Sequence, residues 1–458
     1  MKSKLVIVLI VLVLVALALP VSNLVVGLPS NSLTKAKVDD ATTAKALMII
    51  GQKCANCHST EVVRPFYASL PPAKGIVERD IRVGTRELNY LEALLPSDNQ
   101  PVSEVVLAKT EHAIQVGSMP PTPYLMLHWN GALSGAEKQA LLDWVRAVRA
   151  KHYVVAGVAP QFQNDPVQPL PEKVDLDARK VALGDKLYHD KRLSKDNSLA
   201  CAGCHDLAKG GTDQQQYSKG VGGQLGGINA PTTFNAGFQF KQFWDGRAAT
   251  LEEQADGPPN NPIEMASNWP EIIGKLKQDA EFTKEFTAVY PEGFSKETIT
   301  SAIATFERTL LTPSRFDKFL RGQADALTAD EKRGYELFKS HGCATCHAGK
   351  ILGGQSFELM SRHGDYIADR GNRTDADLGR YSVTKREDDR GKFKVPTLRN
   401  IAITFPYFHD GTVKELKQAV EYMAKYQLGK TLAAADTDAM LKFLHALTGE
   451  YNGKPLGK

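Results

Sequence analysis

All six cysteines of this 458-residue chain lie in three copies of one pentapeptide: Cys54-Ala-Asn-Cys57-His58, Cys201-Ala-Gly-Cys204-His205 and Cys343-Ala-Thr-Cys346-His347. Cys-x-x-Cys-His is the attachment pattern of c-type haem. The two thiols add across the haem vinyl groups, and the adjoining imidazole is held beneath the ring as the proximal iron ligand. A zinc ribbon would need paired knuckles about 15–20 residues apart, whereas these motifs are more than 140 residues apart. A thioredoxin-like redox site explains one motif at most. The expectation is three covalently bound c-type haems, with His58, His205 and His347 on the irons.

The haem histidines are 147 and 142 residues apart, and one haem per module is the simplest partition of the length. The predicted fold is mainly α: three cytochrome c-type haem domains in tandem behind an N-terminal transmembrane or signal helix. The expected boundaries are 1–28 for that segment, 40–157 for a mono-haem domain, 158–175 for a linker, 176–314 for a second haem domain and 315–458 for a third.

Lys2 and Lys4 precede an apolar run from Leu5 to Leu19, and apolar character resumes from Leu24 to Leu28. This reads as an export signal or a single membrane anchor. Ala16-Leu17-Ala18 offers a cleavage site, but Leu19-Pro20 after it is poor processing context. The run to Leu28 holds about 24 residues against the ~20 needed to span a bilayer. An uncleaved anchor is therefore favoured, with the lysines inside and the body in the periplasm; the alternative is a soluble periplasmic protein after cleavage. Thioether use of every cysteine leaves none for disulfides. A formal charge of +4, without a basic cluster, gives no reason to expect a nucleic-acid partner.

Four prolines, Pro160, Pro166, Pro169 and Pro171, make 158–175 read as an extended linker. Around it lie helix starts: Ser134-x-x-Glu137, Thr328-x-x-Glu331 and Thr412-x-x-Glu415 have capping-box spacing.

The last 290 or so residues contain a repeat displaced by 165. Pro231-Thr-Thr-Phe-Asn235, Phe243-Trp-Asp-Gly246 and Leu251 return as Pro396-Thr-Leu-Arg-Asn400, Phe408-His-Asp-Gly411 and Leu416. In the later copy Leu416, Val420 and Met423 share one helix face at i, i+4 and i+7. Met423 is either core or the sixth ligand of the His347 iron; a His/Met iron has a raised potential suited to electron transfer. In the first module Met119, within Gly117-Ser-Met-Pro-Pro121, is a second candidate of this kind, with Met126, His112 and His128 as fallbacks.

The middle module differs. No histidine lies between His205 and His341, and Met265 is its only methionine. It offers acids and amides instead, among them Gln254 and Glu264. A carboxylate beside an open iron can take a proton from bound hydrogen peroxide and return it to the departing oxygen, and an amide can orient the peroxide. Alone, Glu264 reads as a solvated acid at a helix start.

These residues carry a family resemblance. Residues from about 167 onward resemble the bacterial di-haem cytochrome c peroxidases, and the whole chain is similar to their tri-haem, membrane-anchored relatives that oxidise quinol. The motifs are Leu183-Gly-Asp-Lys-Leu187, Asp190-Lys-Arg-Leu-Ser194, Trp244-Asp-Gly-Arg247, Asn261-Pro-x-Glu264-Met265, Pro396-Thr-Leu-Arg-Asn400 and Pro406-Tyr-Phe-His-Asp-Gly411. The N-terminal module matches less, by its haem motif, Gly117-Ser-Met-Pro-Pro121 and Leu127-His-Trp-Asn130.

The resemblance implies a peroxidatic haem on His205, with Glu264 as acid–base, Gln254 as its partner, and Trp244 between two haems. It implies an electron-transfer haem held by His347 and Met423. It also implies a calcium ion at Asn229 and the carbonyls of Thr404 and Pro406, a homodimer in many members, and a quinol or small cytochrome c as electron donor. Many members have a loop histidine that blocks the peroxidatic iron; the matching position is near Val221, so an iron open even when oxidised is expected here. The rival readings are a non-catalytic multi-haem electron carrier and a di-haem protein-modifying oxidoreductase. Relatives of the second kind use tyrosine where Met423 stands.

Overall fold

The computed structural model describes residues 2–95 and 100–457, without the side chains of residues 2–5, 8–12 and 15–16. The chain opens on a helix, Lys2–Val26. Much of the Leu5–Leu19 run, on which the anchor reading rests, lies outside the described side chains. Among the described residues no helix is long and apolar enough to cross a membrane.

The chain divides into two compact units, the first ending at Tyr153 and the second beginning at Val154. In the first, helices Ala41–Lys53, Glu104–Val116 and Gly135–His152 bury Leu47, Ile50, Leu107, Leu141 and Trp144. Ser134 and Glu137 form the expected capping box on Gly135–His152. Arg149 is fully buried and answers two acids, Glu104 at 2.7 Å and Glu111 at 3.0 Å.

The second unit is built on two similar helix crossings. Helix Ala178–Tyr188 meets Lys296–Glu307, and helix Ala329–Ser340 meets Ala434–Ala446. Each crossing turns on a glycine: a Cβ on Gly184 would lie 2.0 Å from the Ala302 carbonyl oxygen, and one on Gly334 would lie 2.1 Å from that of Ala439. Only glycine lets backbones approach so closely. Extended structure is confined, among the described residues, to two antiparallel pairs, Phe357–Leu359 with Lys392–Lys394 and Glu450–Tyr451 with Lys454–Pro455, apart from isolated bridges.

The 165-residue repeat is visible in the backbone. Asn235 and Asn400 both take positive φ, 60° and 63°, as do Phe243 and Phe408, 66° and 68°. The copies interlock reciprocally: the Asn229 N–H donates to the His409 carbonyl, and the Lys394 N–H donates to the Trp244 carbonyl, each at 2.8 Å. Asn229 and Lys394 are repeat equivalents, as are Trp244 and His409, so one bond is the other under exchange of the copies.

Two expectations change. Segment 158–175 is no free linker. Val167 and Leu170 are buried, the Leu170 N–H donates to Asp317 at 2.8 Å, and Val167 bridges to Gly349. Prolines exclude regular helix but not burial, and side chains of this unit satisfy the segment's polar groups. Thr328 and Glu331 form their capping box, but Thr412 and Glu415 do not. The Thr412 hydroxyl donates to Asp410 at 2.9 Å, and the following helix, Leu416–Leu428, starts without a side-chain cap.

Candidate haem sites

Each Cys-x-x-Cys-His segment presents its imidazole in the same way. His58 Nδ1 bonds the Leu88 carbonyl at 3.1 Å, His205 Nδ1 that of Gly211 at 3.4 Å, and His347 Nδ1 that of Leu352 at 3.1 Å. A carbonyl accepts only, so Nδ1 carries the proton and Nε2 keeps its lone pair for a metal. Burial pushes the first thiol of each motif, Cys54, Cys201 and Cys343, up to about 12. No cysteine forms a disulfide. These residues fit covalent haem held by two thioethers and one imidazole.

Around His347 a largely apolar cavity of about 250 Å³ is lined by Cys343, Cys346, Leu416, Val420 and Met423. The i, i+4, i+7 face read from the sequence does turn inward. Met360 and Met440 line the same cavity, so the structure adds two thioethers to the one singled out. Trp244 is also on its wall, with its indole N–H donated to the Asn229 carbonyl at 2.9 Å. His409 lies beyond it, its ring centroid 6.4 Å from that of Trp244 and stacked on Phe393 at 4.0 Å.

Asn229, Thr404 and Pro406 converge on this cavity. The Asn229 side-chain amide donates to the Pro406 carbonyl at 2.9 Å. A calcium ion would need the amide turned, so that Oδ1 joins the two carbonyls.

Around His205 a second cavity is lined by Cys201, Cys204, Gln254, Pro258, Glu264, Met265 and Glu307. Gln254 comes from helix Leu251–Asn260, and Glu264 from the turn after it. Glu264 Oε1 accepts from Asn261 at 2.7 Å; among the described residues its Oε2 and the Gln254 amide make no protein hydrogen bond, which leaves both available to a small ligand. Burial raises the Glu264 pKa above its ordinary value, against the opposing pull of Arg247 and the Asn261 bond. Met265 packs into the core, 5% exposed, beside Leu183 and Ile272.

The loop at Val221 is docked onto this acid. The Val221 N–H donates to the Glu264 carbonyl at 2.8 Å, and a Cβ on Gly220 would lie 2.0 Å from the Ile263 carbonyl oxygen.

Sequence reasoning missed two residues here. Pro258 is the repeat equivalent of Met423, so where one cavity offers a thioether the other offers a ring with no donor. That was legible by carrying the 165-residue displacement seven residues past Leu251. Glu307, whose carboxyl burial pushes up to about 8, comes from helix Lys296–Glu307, and no local motif marks it.

In the first unit Met119 is 43% exposed and Met126 68%, and His112 is half-buried on helix Glu104–Val116. His128 commits both ring nitrogens, Nε2 to the Tyr67 hydroxyl at 3.0 Å and Nδ1 to the Tyr124 carbonyl at 3.0 Å.

A mainly helical chain with half-buried Cys-x-x-Cys-His sites, one of them facing an unengaged carboxylate oxygen and an amide, is a c-type haem protein equipped for proton-coupled chemistry. Residues 178–325 match the di-haem cytochrome c peroxidase family, and residues 10–147 match a haem-binding domain. The chain is 50% identical over 412 residues to cytochrome c peroxidase Ccp of Escherichia coli K12, covering 89% of this chain and 88% of that one. It is 44% identical over 290 residues to cytochrome c551 peroxidase of Nitrosomonas europaea, covering 63% and 85%. A solved MauG-like protein associated with microbial copper homeostasis superposes with a TM-score of 0.55 at 29% identity, covering 61% of this chain and 95% of that one. The chain belongs to the di-haem cytochrome c peroxidase family and is a peroxide-reducing haem enzyme.

Proposed function

We propose that the chain carries three c-type haems and reduces hydrogen peroxide at the His205 site. Electrons enter at the Cys54/Cys57 module and pass by way of the His347/Met423 module and Trp244. The observation that carries this reading is the cavity that joins His205, Gln254 and Glu264. Iron, when bound at His205, supplies electrons and the Lewis-acid position for peroxide. Gln254 orients the peroxide through its amide. Glu264 accepts the proton of the nearer oxygen and returns it to the departing one, general acid–base work worth about 10²–10⁴ in rate. Two electrons and two protons convert each peroxide to two waters.

Pro258 offers the His205 iron no ligand and the Val221 loop has no histidine, which supports an iron open to peroxide even when fully oxidised. His347 with Met423 suits the electron-transfer module, and Met119 is the candidate sixth ligand for His58. A calcium ion at Asn229, Thr404 and Pro406 would brace the wall beside Trp244. The apolar run to Leu28, about 24 residues against the ~20 needed to span a bilayer, is the ground for anchoring in the cytoplasmic membrane with the haem modules in the periplasm. That placement favours quinol as donor over a small cytochrome c.

The test is turnover of the full-length, haem-loaded, fully oxidised protein with hydrogen peroxide and a reduced quinol analogue, beside Glu264→Gln. Wild-type turnover that collapses in the variant is the expected result. Turnover with a small reduced cytochrome alone would change the donor, and no turnover with either would return the chain to electron carriage.

A further inference from the structure

Among the described residues Lys394 is a buried amine whose side chain has no hydrogen-bond or ion-pair partner. It ends the strand Lys392–Lys394, is 4% exposed and lines the cavity that holds His347, Met423 and Trp244. Its backbone N–H is used on the Trp244 carbonyl, but among the described residues its ammonium makes no hydrogen bond or ion pair. The acid that opposes it is Asp245, and Asp245 is engaged by Arg247 at 3.1 Å.

Burying a lone ammonium is costly unless a counter-charge is present, and burial pushes this one down to about 7. Such a group persists in a fold when something negative normally lies beside it. Glu358 and Arg362 are the other charged side chains on the described cavity wall, and neither forms an ion pair or hydrogen bond with the Lys394 side chain. The repeat sharpens the point: the equivalent residue in the other copy is Asn229, which is neutral and carries the same backbone bond. On the wall of this one cavity the later copy therefore supplies an amine able to carry a charge, and the earlier copy a neutral amide.

We infer that the Lys394 ammonium is the counter-ion for a propionate carboxylate of the haem attached at Cys343 and Cys346, and that it holds that haem at a higher reduction potential than a neutral residue would. The inference rests on the proposed haem at that site. A fixed positive charge favours the state of the iron with one more electron, and in a dry cavity it acts with little screening. The described walls of the His205 cavity carry no lysine or arginine, so this charge contributes to the potential difference between the two modules, and Lys394 is a positioning and tuning residue rather than a catalytic one.

The experiment is a redox titration of the full-length protein as wild type, Lys394→Gln and Lys394→Arg, with covalent haem counted in each as the pyridine haemochrome. In Lys394→Gln the midpoint of the His347 haem is expected to fall by an amount equal to about a tenfold change in its reduced-to-oxidised ratio, about 59 mV for one electron. Lys394→Arg restores it, and the other midpoints stay in place. An unmoved midpoint in a fully loaded Lys394→Gln overturns the inference. If Lys394→Gln fails to hold the third haem, Lys394→Arg decides: retained haem at the wild-type midpoint supports the charge pairing, and loss of either overturns it. A wild type without haem on Cys343 and Cys346 would instead sink the haem assignment itself, an outcome the haem count reads separately.

Discussion

Asn235 and Asn400, 165 positions apart in the chain, give their side-chain amides to the same hydroxyl, Thr312 Oγ1, at 2.8 and 3.0 Å. Both asparagines hold left-handed backbone conformations, and both are buried. Thr312 belongs to neither copy of the repeat motif, yet it is where the copies meet.

Thr312→Val should therefore weaken both copies at once. It leaves two buried donors without an acceptor, each costing about 1–3 kcal/mol. A single, cooperative loss of thermal stability with haem still attached is expected, measured by calorimetry. Separate transitions for the two modules would show that the junction does not couple them.

Because burial raises the Glu264 pKa, its base form is lost on acidification earlier than for an ordinary glutamate. The peroxide-dependent rate should fall as pH drops through that raised pKa. Glu264→Gln should be about 10²–10⁴-fold slower and lack this acidic limb. A variant that keeps the limb would assign the titration elsewhere.

Three methionines face His347, and only one sits on the predicted helix face. Met423→Leu should abolish the thioether-to-iron charge-transfer band of the oxidised protein. Met360→Leu and Met440→Leu should leave it intact. Loss of the band in either of those instead would move the ligand.

Asp377 accepts from His409 at 2.8 Å and from Arg370 and the Thr374 N–H at 2.7 Å each; despite burial, these bonds hold its carboxyl far below the usual range. A depressed folded-state pKa stabilises the protein above the unfolded value near 4, and this is lost as pH falls further. Asp377→Asn should be less stable at pH 7 by about 1.5–3 kcal/mol, since Arg370 keeps Asp410 as a partner. The gap to wild type should shrink below pH 4, as acid titrations of melting temperature would show.

The helix crossings give a steric prediction with an internal control. Gly184→Ala drives a Cβ onto the Ala302 backbone and should cost several kcal/mol or prevent folding. Gly274, inside helix Trp269–Lys277 with nothing near its missing Cβ, should tolerate alanine and gain up to about 1 kcal/mol in stability from helix propensity. Melting temperatures of the pair decide it.

What was legible in the chain was whatever local spacing enforces. Cys-x-x-Cys-His needs only adjacent residues to present two thiols and an imidazole. Ser134 with Glu137 caps its helix because both ends of the box lie within one turn. The inward face of Leu416, Val420 and Met423 follows from helical periodicity, and the repeat follows from plain comparison of the chain with itself. Where a competing partner is close, local reading fails: Thr412 had the spacing of a cap, but Asp410 takes its hydroxyl first.

Tertiary packing decided the remainder, because the relevant energies belong to pairs distant in sequence. That Lys394 is buried with no ion-pair partner among the described residues, while the acid that acts on it, Asp245, pairs with Arg247, is set by packing. That Glu264 keeps one oxygen free depends on Asn261 engaging the other and on the Val221 loop docking behind its backbone. Segment 158–175 reads as a linker from its prolines, but burial of Val167 and Leu170 against the second unit makes it part of the core. Composition and spacing determined which groups this protein has for haem and peroxide chemistry; only the fold, by setting burial and partners, decided which of them are left unsatisfied and therefore able to act.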